Sequence, residues 1–210
     1  MFDIAAGNLF MMCRNLKTEA LTELPNGFSF RFCRQDELDL WKKIHYDQEP
    51  DKYLASMTEY FEKVYQPEEE TFWERCLFVC NSKDWPVGTC FAWKAYGQVM
   101  TIHWFKVRKE FEGSGIGRAL LSKVMHEITD AEFPVFLHTH PACTRAIKLY
   151  TDFGFSLLTE EQIGYRTNNL QEALPYLKRE LLPEVYDSLS YASAPEYFLQ
   201  AAMSDEFSQF

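Results

Sequence analysis

The chain has 210 residues, a formal charge of −10, 47% apolar and 25% charged residues, and an aromatic content that includes 18 Phe and 11 Tyr. That length supports one ordinary domain with a full core and no need of metals or disulfides, and the apolar share excludes a disordered chain. With no basic face in the sequence, the acidity argues against a nucleic-acid partner and suits either a cationic partner or a merely solvated surface.

Six cysteines, at 13, 33, 76, 80, 90 and 143, lie in strand-like or apolar stretches without a CxxC pair, and read as reduced, mostly buried thiols. The first residues, MFDIAAGNLFMMC, carry an acid at Asp3 rather than a basic leader, and Gly7 and Asn8 interrupt their short apolar run. No stretch approaches the roughly 18 apolar residues of a membrane span. A cytoplasmic protein with no membrane partner is expected.

In chain order, an irregular strap over 1–27 precedes FSFRFC (28–33), which alternates like a strand. RQDELDLWKKI then takes helical spacing through Leu38, Trp41 and Ile44, and a second helix is predicted over 51–65, with Tyr53, Met57, Tyr60 or Phe61, and Val64 on its core side. Three strands follow at 76–80, 87–95 and 98–107, separated by turn signals at 84–86 and at Gly97, and read as an antiparallel meander. The helix GIGRALLSKVMHEI repeats apolar residues at Ile116, Leu120, Leu121, Val124 and Ile128. A buried strand at 135–139, a helix over 142–152 and short strands at 155–158 and 163–166 complete the body, with parallel pairing expected where strand and helix alternate. From Asn168 onward the pattern is helical, and Ser193, Pro195 and Glu196 suggest a capped start for a last helix through Met203. Tyr191, Tyr197, Phe198 and Leu199 leave two uses for this extension, a cover for the chain's own core or a homodimer surface.

The stretch VRKEFEGSGIGRALL sets Gly113, Gly115 and Gly117 between a long strand and a helix. Glycines there allow a tight turn and a close backbone approach to a ligand, and the amides of the helix start favour an anion such as pyrophosphate. A dinucleotide fingerprint would need glycine where Arg118 stands, and a phosphate-binding Walker loop would need a following Lys and Ser or Thr.

Val107 followed by Gly115-Ile116-Gly117, together with CTRAIKLYTDFGF, in which Ala146, Tyr150, Gly154 and Phe155 stand in register, resembles the two signatures of the GNAT acetyltransferase superfamily. The resemblance covers about 28–166. It implies an α/β fold with a mixed, mostly antiparallel sheet, splayed between the strands near 99–107 and 135–139 and flanked by helices, to which 167–210 adds a helical extension packed on the same domain. It also implies acetyl-CoA as co-substrate, with its pantetheine arm in the opening. Phe105 and Val107 inherit backbone contacts to that arm. Gly113, Ser114, Gly115, Ile116, Gly117 and Arg118 inherit the pyrophosphate, and Cys143 and Ala146 flank the arm. Glu112 replaces the loop's usual Arg or Gln, and Cys143 the usual Asn.

Transfer of acetyl to an amine needs a neutral nucleophile, a polarised thioester and a stabilised thiolate. The resemblance assigns the thiolate to Tyr150, as a hydrogen-bond donor. Early proton transfer from a phenol near pKa 10 to a thiolate near 8.5 is uphill by roughly 2 kcal/mol. His103, four residues before Val107 and placed by alternation on one face with Thr101, Phe105 and Val107, is the candidate base; its ordinary pKa near 6.5 suits that role. A satisfied strand histidine, with water carrying the proton, is the alternative. In HTHPAC, His138, His140 and Cys143 do not make a closed site, so no metal is expected, and His140 is read as a wall of the acceptor pocket.

The helices from 38 to 74 intersperse Trp41, Tyr46, Tyr53, Tyr60, Tyr65 and Trp73 with Glu49, Asp51, Glu59, Glu62 and 68–70, a composition suited to a cationic small-molecule or peptide amine. The expected activity is therefore N-acetylation of a primary amine by direct attack. A non-catalytic CoA-binding or sensor module, suggested by Glu112 and Cys143, is the alternative.

Overall fold

The computed structural model describes residues 3–46, 49 and 51–210. The chain runs through β1 (Leu9–Cys13), β2 (Phe28–Phe32), α1 (Leu38–Ile44), α2 (Leu54–Val64), α3 (Glu69–Arg75), β3 (Leu77–Asn81), β4 (Pro86–Ala95) and β5 (Val99–Val107). It continues through α4 (Ile116–Glu127), β6 (Val135–Thr139), α5 (Thr144–Asp152), β7 (Phe155–Leu158), β8 (Gln162–Ile163) and β9 (Arg166–Thr167). The last elements are α6 (Leu170–Glu180), α7 (Pro183–Asp187), β10 (Tyr191–Ala192) and α8 (Glu196–Met203). Among the described residues the main sheet has eight strands in the order β10-β7-β1-β6-β5-β4-β3-β2. Its pairings are mostly antiparallel and helices flank it, which is the mixed α/β class expected from the sequence.

Two compact units divide the chain: 1–20 with 94–102 and 128–210, and 21–93 with 103–127. In the first, β1 lies between β6 and β7, antiparallel to both. All five of its residues are buried, so LFMMC shows no alternation. The strap over 1–27 is therefore not irregular throughout but holds a strand at 9–13; residues 1 and 2 of it lie outside the described residues. β6 pairs in parallel with β5 at Thr101↔Phe136.

The segment 163–166 is not one strand. Gly164, at φ +57, turns the chain between β8 and β9, and a Cβ there would sit 2.6 Å from the Ala202 carbonyl oxygen. The extension adds β10 in parallel to β7 and stacks the buried ring of Phe198 on Phe136 at 3.9 Å and 4°. Tyr191 and Tyr197 stay exposed. Ser193 does not cap α8: the N-cap is Pro195, the Ser193 carbonyl accepts from Arg14, and the Ala194 amide donates to Glu160 Oε1 at 2.9 Å.

In the second unit β2 and β3 are antiparallel, as are β3 and β4. One side packs α1, α2 and α3 through Trp41, Phe61, Tyr65 and Phe72, whose rings meet Phe91 of β4 directly or through one another. Close ring edges of this kind add to simple burial. α4 buries Ile116, Leu120, Leu121 and Val124, and Leu120 lies over Gly88 of β4. All six cysteines are free thiols, five buried and Cys143 exposed. Among the described residues no helix is long and apolar enough to cross a membrane.

Candidate active site

The glycine stretch forms one strand-to-helix turn in the second unit. After β5, residues 109–111 make a single 3-10 turn, and Gly113 (φ +77) and Gly115 (φ +86) take left-handed conformations that L side chains rarely adopt. α4 then begins at Ile116, and the amides of its first turn, Ile116 and Gly117 among them, have no acceptor within the helix. A Cβ on Gly117 would lie 3.3 Å from Phe105 Cζ and 3.5 Å from Val107 Cγ2, so its absence lets the helix start approach β5 closely.

The Ser114 hydroxyl is turned back to the Phe111 carbonyl, which leaves its backbone as the part open to a ligand. From the strap, Pro25 comes within 3.5 Å of the position a Gly115 Cβ would take, and the Thr22 amide donates to Ser122 Oγ at 2.9 Å. Ser122 in turn donates to the carbonyl of Arg118 at 2.8 Å, fixing the first turn of α4. Tight glycine geometry and an oriented helix start fit a pyrophosphate.

β5 carries an irregular backbone one residue after His103. Trp104 has φ +50, a conformation that costs energy for a bulky residue and re-aims the strand. The alternation that would have put His103 on one face with Phe105 and Val107 therefore does not hold. Phe105 and Val107 lie over Gly117, whereas His103 turns into the aromatic cluster, 5.8 Å from both Tyr65 and Phe91.

His103 is 2% exposed, and its Nδ1 lies 2.5 Å from the Tyr65 hydroxyl. Burial drives its pKa down to about 3, so the expected titration near neutrality is corrected by desolvation. The Tyr65 oxygen also meets the side chains of Trp104 and Tyr60. An indole can only donate, and a hydroxyl has one proton to give. In the arrangement in which the Tyr65 hydroxyl donates, His103 Nδ1 accepts. His103 then carries its proton on Nε2, which is buried with no hydrogen-bond partner.

Beside the loop the same unit holds a cavity of about 440 Å³, lined by His45, Tyr46, Glu49, Tyr53, Lys106, Lys109 and Glu112. The rings of Tyr46 and Tyr53 stack at 4.1 Å and 22°. Of the aromatic and acidic residues singled out between 38 and 74, these two and Glu49 reach the cavity, while Trp41 and Tyr65 are wholly in the core. Glu112 faces the cavity rather than Arg108, which donates to the Pro86 carbonyl at 3.0 Å and lies over the Trp85 ring. His45 was missed in the sequence. Burial, then the nearby charge of Lys106, takes its pKa down to about 3.

In the first unit, α5 starts after Cys143, whose amide donates to the His140 carbonyl at 2.9 Å and whose side chain is exposed. Ala146 is half-buried on α5. Tyr150 is 5% exposed, with its ring 5.7 Å from Phe155. Gly154 follows at φ +97, and a Cβ there would fall 2.7 Å from the Asn15 carbonyl oxygen, which explains the glycine of this motif in structural terms. His138 Nε2 pairs with Asn8 Oδ1 at 3.0 Å and His140 Nδ1 with the Gly7 carbonyl at 2.9 Å, so both rings are engaged by the segment before β1. The predicted site residues thus fall into two sets, His103 to Arg118 in one unit and Cys143 to Tyr150 in the other.

Residues 38–155 match the profile of the Acetyltransferase (GNAT) family. Comparison with curated protein sequences gives no match. Among solved structures, the chain is similar to a tandem GNAT protein from the clavulanic acid biosynthesis pathway, with a TM-score of 0.53 and 13% identity over 73% of this chain and 50% of that one. It is also similar to a GNAT-family acetyltransferase of Staphylococcus aureus (TM-score 0.44, 15% identity, 60% of this chain and 81% of that one). A third is a GNAT-family protein of Novosphingobium aromaticivorans (TM-score 0.47, 15% identity, 72% and 60%). The chain spans half the length of the tandem protein.

Proposed function

The chain belongs to the GNAT family of acetyltransferases, and on that premise we propose that it moves acetyl from acetyl-CoA to a primary amine by direct attack. The observation that carries this reading is the turn at 113–117, whose left-handed glycines and open helix start suit a pyrophosphate. Acetyl-CoA supplies an activated acyl group and a thiol leaving group. Gly113, Ser114, Gly115, Ile116, Gly117 and Arg118 hold its phosphates chiefly through backbone amides. Phe105 and Val107 present backbone groups to the pantetheine arm, and Cys143 and Ala146 contact the same arm.

Tyr150, by its place in CTRAIKLYTDFGF, donates a hydrogen bond to the departing thiolate. His103 stays neutral throughout. Buried against Tyr65 and Phe91 and turned off the face of Phe105 and Val107, it positions the aromatic core beside the site rather than meeting the acetyl carbonyl. A group of pKa about 3 is a weak base, so the amine's proton leaves through water. The two departures at Glu112 and Cys143 favour the second reading, a CoA-binding module without turnover.

The deciding experiment is release of free thiol from acetyl-CoA across a panel of small amines and amino-terminal peptides. Acceptor-dependent release supports the enzyme. Binding of CoA with no release above the hydrolytic background for any acceptor assigns the chain to the second reading.

A further inference from the structure

The cavity beside the loop has a charge pattern that narrows the acceptor. Among the described residues lining it, two carboxylates, Glu49 and Glu112, are matched by two ammonium groups, Lys106 and Lys109. A polyamine would meet the lysines and a dicarboxylate the glutamates, each at a cost. A molecule bearing one ammonium and one carboxylate meets neither penalty, because each end finds its opposite charge. Its size is that of a small-ligand site, for which about 300–1,000 Å³ is usual.

A further feature favours a bound molecule. The stacked rings of Tyr46 and Tyr53 give the cavity a flat aromatic wall, a surface that favours a cation or a planar apolar group. Glu49 already shares its charge with Lys52 at 2.9 Å, so it steers an ammonium group more than it clamps one.

We infer that this cavity binds a small zwitterion, an amine that also carries a carboxylate, with the ammonium toward Glu49 and Glu112 and the carboxylate toward Lys106 and Lys109. The inference rests on the acetyl-transfer reading only in calling this molecule the acceptor; the binding itself stands apart from it.

The test is calorimetric titration, with and without saturating coenzyme A, of matched probes: norleucine and aminohexanoate as zwitterions, hexylamine and hexanediamine as cations, and hexanoate as an anion. The expected result is that at least one zwitterion binds about tenfold or more tightly than the best singly functional probe or the diamine. Glu49→Gln and Lys109→Gln, both exposed and checked by unchanged melting, should each weaken it by about threefold. Equal or tighter binding of the diamine or of hexanoate, absence of zwitterion binding in both states, or insensitivity to both substitutions overturns the inference. So does transfer of the Lys109→Gln defect to coenzyme A. Failure of coenzyme A to bind at all would instead sink the transferase reading, and the titrations without it would still report on the cavity.

Discussion

Tyr150 and Glu112 can each be tested without knowing the acceptor's identity. Tyr150→Phe removes only the hydroxyl, so kcat should fall about tenfold or more while acetyl-CoA affinity changes by less than about twofold. A wild-type kcat in steady-state kinetics would remove Tyr150 from the mechanism. Glu112 has the wrong sign for a phosphate neighbour, yet it faces a cavity that also holds Lys106 and Lys109. Both lysines carry the opposite charge, and the loop offers several backbone donors to the phosphates. Glu112→Gln should therefore alter the acetyl-CoA dissociation constant by less than about fivefold, with little dependence on salt. A larger change that fades in high salt would place Glu112 against the phosphates.

At the scale of elements, the turn after α5 is fixed by geometry more than by the cofactor. Gly154→Ala would force a Cβ into φ +97 and to 2.7 Å from the Asn15 carbonyl oxygen, so denaturant unfolding should show a loss of about 1–3 kcal/mol. A neutral result would mean that the Asn15 segment moves aside freely. The two family motifs were legible because their residues are local: a strand end, a glycine turn and a helix start, or one helix and its terminal glycine. A helix of clear period, such as α4, was legible too, and so was β6 as a short apolar run. β1 was not, because a strand buried on both faces carries no alternation. The positive φ of Trp104 also lay hidden, since such a conformation in a bulky residue leaves no compositional mark, and alternation alone therefore placed His103 on the face of Phe105. The Tyr65 to His103 pair joins residues 38 apart and is fixed by packing. The cavity joins the aromatic and acidic stretch to Lys106, Lys109 and Glu112, a meeting that only tertiary packing brings about.

The molecule as a whole should carry the mark of its buried imidazoles in its acid stability. His103 has a folded pKa of about 3 against about 6.5 for an exposed chain. Between those values the unfolded state binds a proton that the folded state refuses. Stability therefore falls as pH drops through this window, with a slope of up to about 1.4 kcal/mol per pH unit for this group. His103→Gln keeps an acceptor for the Tyr65 proton but does not titrate, so its unfolding free energy between pH 6 and pH 4, taken as about the middle of the window, should fall less steeply than that of the wild type. Parallel slopes would mean that His103 is solvated in solution.

On the reading proposed above, the turn at 113–117 cradles the acetyl donor. Calorimetric titration of acetyl-CoA into the wild type and into Gly115→Glu tests it most directly, because that substitution brings bulk and negative charge to a left-handed position without touching Tyr150 or His103. Saturable binding is expected for the wild type and none for the folded variant, with folding verified by melting. Normal acetyl-CoA binding by Gly115→Glu would contradict the cradle, and the assignment of the donor would fall with it.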